Sequence, residues 1–134
     1  MLTNRIFVDT SAWYAIMDKT DQDHTVAVAK IQMVDRPLLT SNYILDEILT
    51  LLKTRLGSTI AIPFGQKLWN QEVSTLVRIT EEDEARAWRI FRQYEDKAFS
   101  FTDCTSFALM ERLEIDTAFA FDDHFLQYGQ FVIL

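Results

Sequence analysis

Short apolar runs alternate with amphipathic stretches along this chain. Arg5–Asp9 (RIFVD) is an apolar run that ends in an acid and meets the polar pair Thr10-Ser11, which predicts a buried strand feeding a helix start. Ala12–Met17 reads as a short apolar helix and Asp21–Val34 as a moderately amphipathic one. Pro37–Thr40 (PLLT) reads as a strand. Asn42–Leu56 is a strong helical pattern stopped by Gly57, and Ser58–Asn70 a further helix with Pro63 and Gly65 inside it. Val73–Ile79 alternates and is β-branched, as a strand requires. Thr80 then precedes acids at 81–84, the charge a helix N-terminus favours. That helix, to about Glu95, is expected to turn Ala87, Trp88, Phe91 and Tyr94 to one face and Arg86, Arg89 and Arg92 to the other. Thr102–Leu113 reads as a helix, Thr117–Phe121 as a strand and Gln130–Leu134 as a closing strand. Strands alternating with helices imply βαβ units, hence an α/β fold: a three-layer α/β/α sandwich on a mostly parallel sheet. No repeat, low-complexity tract or linker interrupts the pattern, so residues 1–134 are read as a single domain.

Composition removes several function classes. Acids outnumber bases 20 to 13, for a formal net charge of −7, so bulk basicity cannot hold nucleic acid. A phosphate-bearing partner must be met by a local basic patch or through bound metal. The single cysteine, Cys104, excludes an internal disulfide, and no Cys/His cluster has zinc-ligand spacing. The first residues show no signal-peptide pattern and no window approaches the roughly 18 apolar residues of a membrane span, which points to a cytoplasmic protein.

In an open parallel sheet, ligands bind outside the carboxyl ends of the strands. Asp9 ends the first apolar run, Asp122 and Asp123 follow TAFAF, Glu47 lies in the helix after PLLT, and Asp103 opens the helix carrying CTSFALM. Helical spacing puts Glu47 beside Tyr43 and Leu51 at the margin of the apolar arc, whereas Asp46 falls among Asn42, Thr50 and Lys53 on a solvated one. Clustered carboxylates repel, and a divalent cation neutralises them. Oxygen ligands without His or Cys suit Mg²⁺ or Mn²⁺, and such a centre fits phosphodiester hydrolysis, with metal activating water and stabilising charge.

FVDTSAWYA, TSNYILDEILTLL, FSFTDCTSFALM and TAFAFDDHF resemble, in order and over nearly the whole chain, the four acidic motifs of PIN domains. They are especially similar to the VapC-type toxins of toxin–antitoxin pairs. The resemblance implies a Mg²⁺- or Mn²⁺-dependent ribonuclease, a homodimer, and neutralisation by a cognate antitoxin. It places the family's catalytic and metal-binding acids at Asp9, Glu47, Asp103 and Asp122. Asp123 competes for the fourth place; the family's acid precedes a Phe by three, which favours Asp122 and leaves Asp123 to cap the next turn.

Each acid also has a structural reading. Asp9 can end a strand or cap a helix, Ser100 with Asp103 resembles a capping box, Glu47 can bond Tyr43 or Arg55, and Asp122 and Asp123 are ordinary turn residues. Thr10 and Ser11 are candidate caps of the first helix. Cys104 with His124 is a weak candidate nucleophile pair, and Trp13, Trp69 and Trp88 are assigned to core or interface. Two further functions stay open: a catalytically silent PIN-like module that binds protein, and an aspartate-dependent phosphatase, although Asp9 lacks the second acid two residues on.

Overall fold

A computed structural model describes residues 4–134. Five strands, β1 (Ile6–Val8), β2 (Leu38–Ser41), β3 (Thr75–Val77), β4 (Thr117–Phe119) and β5 (Val132–Ile133), form one sheet in the order β3-β2-β1-β4-β5. Every pairing is parallel, with Phe7 opposite both Leu39 and Ala118. Ile6, Phe7 and Val8 are all fully buried. Successive strand residues point to opposite faces, so β1 is covered on both sides, which is why it reads as an unbroken apolar run. The chain moves outward from β1 to β2 and β3 and then crosses back to β4 on the other flank. That reversal makes the β1–β4 edge the switch point of the sheet.

Seven helices connect the strands: α1 (Thr10–Met17), α2 (His24–Met33), α3 (Asn42–Leu56), α4 (Ser58–Trp69), α5 (Glu81–Gln93), α6 (Phe101–Leu113) and α7 (His124–Tyr128). Ser41 caps α3, its Oγ accepting from the Ile44 N–H at 3.1 Å, and Gly57 ends it at φ 88°, a conformation that favours glycine. The same glycine begins α4. Gly65 lets these helices approach closely, because a Cβ there would sit 2.6 Å from Leu49 Cδ2.

Three expectations are corrected. The second helix begins at His24, because Asp21 folds the preceding residues into a turn, its Oδ1 accepting from the Asp23 N–H. Strand β4 stops at Phe119, and the residues after it build the short helix α7, which apolar periodicity over five residues cannot signal. The buried face of α5 carries Asp83, Ala87 and Ile90, while Trp88 and Phe91 are 52% and 39% exposed and stack on each other. On the other face, Arg86 pairs with Glu111 of α6 at 3.1 Å. Of the tryptophans, Trp13 is core, and Trp69 and Trp88 are exposed.

Candidate metal centre

The carboxyl edge at β1 and β4 gathers the acids. Asp9 follows β1, and its N–H extends the ladder by donating to the Phe119 carbonyl at 3.0 Å. Its side chain turns back to cap α1, Oδ2 accepting from the Ser11 N–H at 3.1 Å and the Ser11 hydroxyl at 2.7 Å. Ser11 Oγ in turn accepts from the Phe121 N–H at 2.9 Å, tying the first acidic segment to the last. Asp9 is therefore the cap expected of Thr10 and Ser11, and Ser11 orients it.

Asp103 sits at the third position of α6 in a complete capping box. Its Oδ2 accepts from the Ser100 N–H at 2.9 Å, and the Ser100 hydroxyl accepts from the Asp103 N–H at 3.0 Å. Asp122 makes an Asx turn, Oδ1 accepting from the His124 N–H at 3.1 Å. The turn aims the His124 ring at the acids: Nδ1 lies 2.6 Å from Asp103 Oδ2 and 3.9 Å from Asp122 Oδ1. Asp103, Asp122 and His124 each offer one ligand atom within 4.8 Å of the others. Asp123 is exposed and its side chain caps nothing, contrary to expectation; only its carbonyl serves α7, accepting from the Gln127 N–H. Glu47 is half-buried on α3, and its neighbour Asp46 is exposed, as the helical spacing implied.

Electrostatics links the four acids. Burial pushes the Asp9 carboxyl well above the usual carboxylate range, and the charges of Asp122 and Asp103 add to that, against the bonds from Ser11. Burial also raises Asp103; the Ser100 N–H and His124 work against it and Asp122 with it. Glu47 is raised by burial, relieved in part by the Thr10 hydroxyl, and pushed further by Asp103, Asp122 and Asp46. Among the described residues, no Lys or Arg forms an ion pair with Asp9, Glu47, Asp103 or Asp122.

Two buried polar atoms at this edge face the acids: Thr10 Oγ1 faces Glu47, and His124 Nδ1 faces Asp103. A cluster of carboxylates resisting ionisation, with polar atoms aimed into it, is the donor set a divalent cation satisfies. His124 adds a nitrogen to a set the sequence reading took as oxygen alone. Its signal was the Asp-x-His spacing, since an Asx turn brings the side chain two residues on beside the acid. The Cys104–His124 nucleophile pair fails: Cys104 is fully buried, and burial together with Asp103 pushes its thiol up to about 12.

Residues 6–130 match the PIN domain family. The chain is 36% identical over 129 residues to the 23S rRNA-specific endonuclease VapC20 of Mycobacterium tuberculosis, spanning 92% of this chain and 94% of that protein. The crystal structure of VapC20, described as a sarcin-ricin loop cleaving toxin, superposes with a TM-score of 0.88 at 33% identity, covering 93% of this chain and 95% of that one. Two more distant structures share the fold. DNA-bound VapBC from Salmonella typhimurium has a TM-score of 0.69 at 9% identity, over 100% of this chain and 98% of that one. FitAcB from Neisseria gonorrhoeae has 0.69 at 12%, over 96% of each.

Proposed function

This chain belongs to the PIN-domain family, and from that premise we propose that it is a metal-dependent endoribonuclease, the toxin of a toxin–antitoxin pair, built as one nuclease domain. The observation that carries the proposal is the convergence of Asp9, Asp103 and Asp122 at the switch-point edge, with Glu47 near enough to feel the last two and, among the described residues, no Lys or Arg ion-paired to any of them.

In this reading the four acids hold Mg²⁺ or Mn²⁺, and His124 orients Asp103. A cation bound there supplies charge neutralisation for an approaching phosphate and polarises water toward attack. The chain's own residues do the positioning. Ser11 fixes Asp9 against the β4–α7 segment, the Ser100 box fixes Asp103, and the Asx turn fixes Asp122. Buried, fixed carboxylates of this kind need little rearrangement when charge develops. Likeness to VapC20 supports RNA as the substrate, with ribosomal RNA the first to assay. The protein acts in the cytoplasm as a homodimer. Its antitoxin presents a basic side chain, an arginine by preference, to the acidic edge.

The test is cleavage of an RNA panel that includes ribosomal RNA. We expect no cleavage in EDTA, recovery with Mn²⁺ or Mg²⁺, and a higher melting temperature with millimolar metal, since a ligand of the native state alone adds stability. Full activity in chelator would overturn the metal mechanism. Metal binding without cleavage of any RNA would favour the silent protein-binding module.

A further inference from the structure

Two open cavities flank the acidic edge. One, of about 490 Å³, has Glu47 and Thr102 in its wall; the other, of about 300 Å³, has Ser11, Tyr14 and Asp122. Leu51 and Arg55 line both, so one stripe of α3 is the partition between them. Arg55 is the only basic residue in either lining. It lies eight residues past Glu47 on the same helix, roughly 12 Å along the axis.

Its guanidinium is held against Tyr14. Arg55 Cζ lies 5.2 Å from the centroid of the Tyr14 ring. The Tyr14 hydroxyl donates to Asp18 Oδ2 at 2.6 Å, and Asp18 Oδ1 accepts from both the N–H and the hydroxyl of Thr20. The platform beneath the arginine is thus fixed from below. Among the described residues Arg55 makes no ion pair with a carboxylate, although Asp21 and Asp23 share one of its cavities. An exposed guanidinium anchored on Tyr14 and bound by no carboxylate ion pair keeps donors of its planar fork for phosphate oxygens.

A chain with a net charge of −7 gives RNA little long-range attraction, so a basic side chain beside the acidic edge is where the backbone of a bound strand is best met. We propose that Arg55 binds an RNA backbone phosphate neighbouring the scissile one and thereby lays the strand across the partition between the two cavities. This rests on the nuclease reading above.

The experiment compares wild type with Arg55→Gln, which keeps a polar stem on Tyr14, and Arg55→Lys, which keeps the charge without the fork. Fluorescence anisotropy with a short fluorescein-labelled RNA hairpin, in Ca²⁺ to keep the strand whole, is repeated across a salt series. For Arg55→Gln we expect about tenfold weaker binding and a slope of log K against log salt shallower by about 0.7, the signature of one lost phosphate contact on a single strand. Arg55→Lys should restore the slope and only part of the affinity. In Mn²⁺, cleavage by Arg55→Gln should show the loss mainly in KM. The melting temperature and its rise with Mn²⁺ should stay at wild-type values. Wild-type affinity and slope in Arg55→Gln would overturn the proposal. An unchanged slope with a lowered melting temperature would also overturn it, making Arg55 a prop for Tyr14. Wild-type protein that fails to cut RNA in Mn²⁺ would count against the nuclease reading, while the salt slope would still decide for or against Arg55.

Discussion

Asp9 performs two tasks that pull its carboxylate in opposite directions. As a cap it needs an acceptor oxygen for Ser11; as a member of the acidic edge it carries a charge that burial and Asp122 oppose. Asp9→Asn keeps an acceptor and removes the charge, so activity should fall by about two orders of magnitude, the scale of losing one strong electrostatic contribution. Stability provides an independent readout. In the metal-free protein the native state holds the Asp9 proton more tightly than the unfolded chain, whose carboxyl stays near 3.8. Stability contributed by that proton is therefore present at low pH and lost as pH rises through the raised native value. Asp18 and Asp83 are shifted down and act in the opposite sense, but only near and below 3.8. The metal-free melting temperature should accordingly rise as the pH falls from neutral toward 3.8, and Asp9→Asn should shrink that rise. A variant that loses fold and activity together would mean the cap is its whole role. The pair Asp122 and Asp123 offers a paired comparison. Asp122 lies within ligand distance of Asp103 and His124, and Asp123 faces solvent. Cleavage rate against Mn²⁺ concentration should collapse for Asp122→Asn and change several-fold at most for Asp123→Asn; the reverse order would shift the fourth acid by one residue.

Helices α5 and α6 pack through a charge. Asp83 completes a capping box with Thr80 and is nearly buried, and Arg112 grips it with two bonds of 2.8 Å. Burial pushes the Asp83 carboxyl up, but the Arg112 guanidinium and the Thr80 bonds outweigh it, so it sits below the usual range. Arg112→Met should strand that carboxylate and destabilise the protein by about 3 kcal/mol in urea unfolding, the low end for a broken buried pair because the arginine is half-exposed. Wild-type stability in that variant would show that water replaces the guanidinium. Helices α3 and α5 mark where the sequence was readable and where it was not. Helix α3 was legible to the residue because Ser41 and Gly57 punctuate it. The Trp88–Phe91 adjacency was legible too, but periodicity reports which residues share an arc, not which arc meets the core; here the smaller Ala87 and Ile90 do. The placement of Asp9 and Asp122 was legible because strand ends in a parallel sheet have one destination, whereas Glu47 and Asp103 sit on helices and were singled out by helical spacing and motif. His124 was not, because its place depends on a turn made by Asp122, and a single Asp-x-His carries no periodicity.

For the molecule as a whole, no described helix is long and apolar enough to cross a membrane. Its exposed apolar side chains include Ile62 and Trp69 on α4 and Trp88 and Phe91 on α5, more aromatic surface than a small monomer usually leaves in water. Sedimentation at micromolar concentration should therefore give twice the 15.7 kDa chain mass; a single-chain mass would remove the dimer. The tie from Ser11 to Phe121 has a consequence in time. It spans 110 residues, and it joins the segment that follows the first strand to the one that follows the fourth. Contacts that distant form late, since the intervening loop must close before they reward it. While the ribosome is still adding residues ahead of β4, Asp9 has neither its ladder partner Phe119 nor the Phe121 amide that holds Ser11. A half-made chain thus carries three of the acids and no assembled edge. Synthesis itself postpones assembly of the acidic edge until β4 docks.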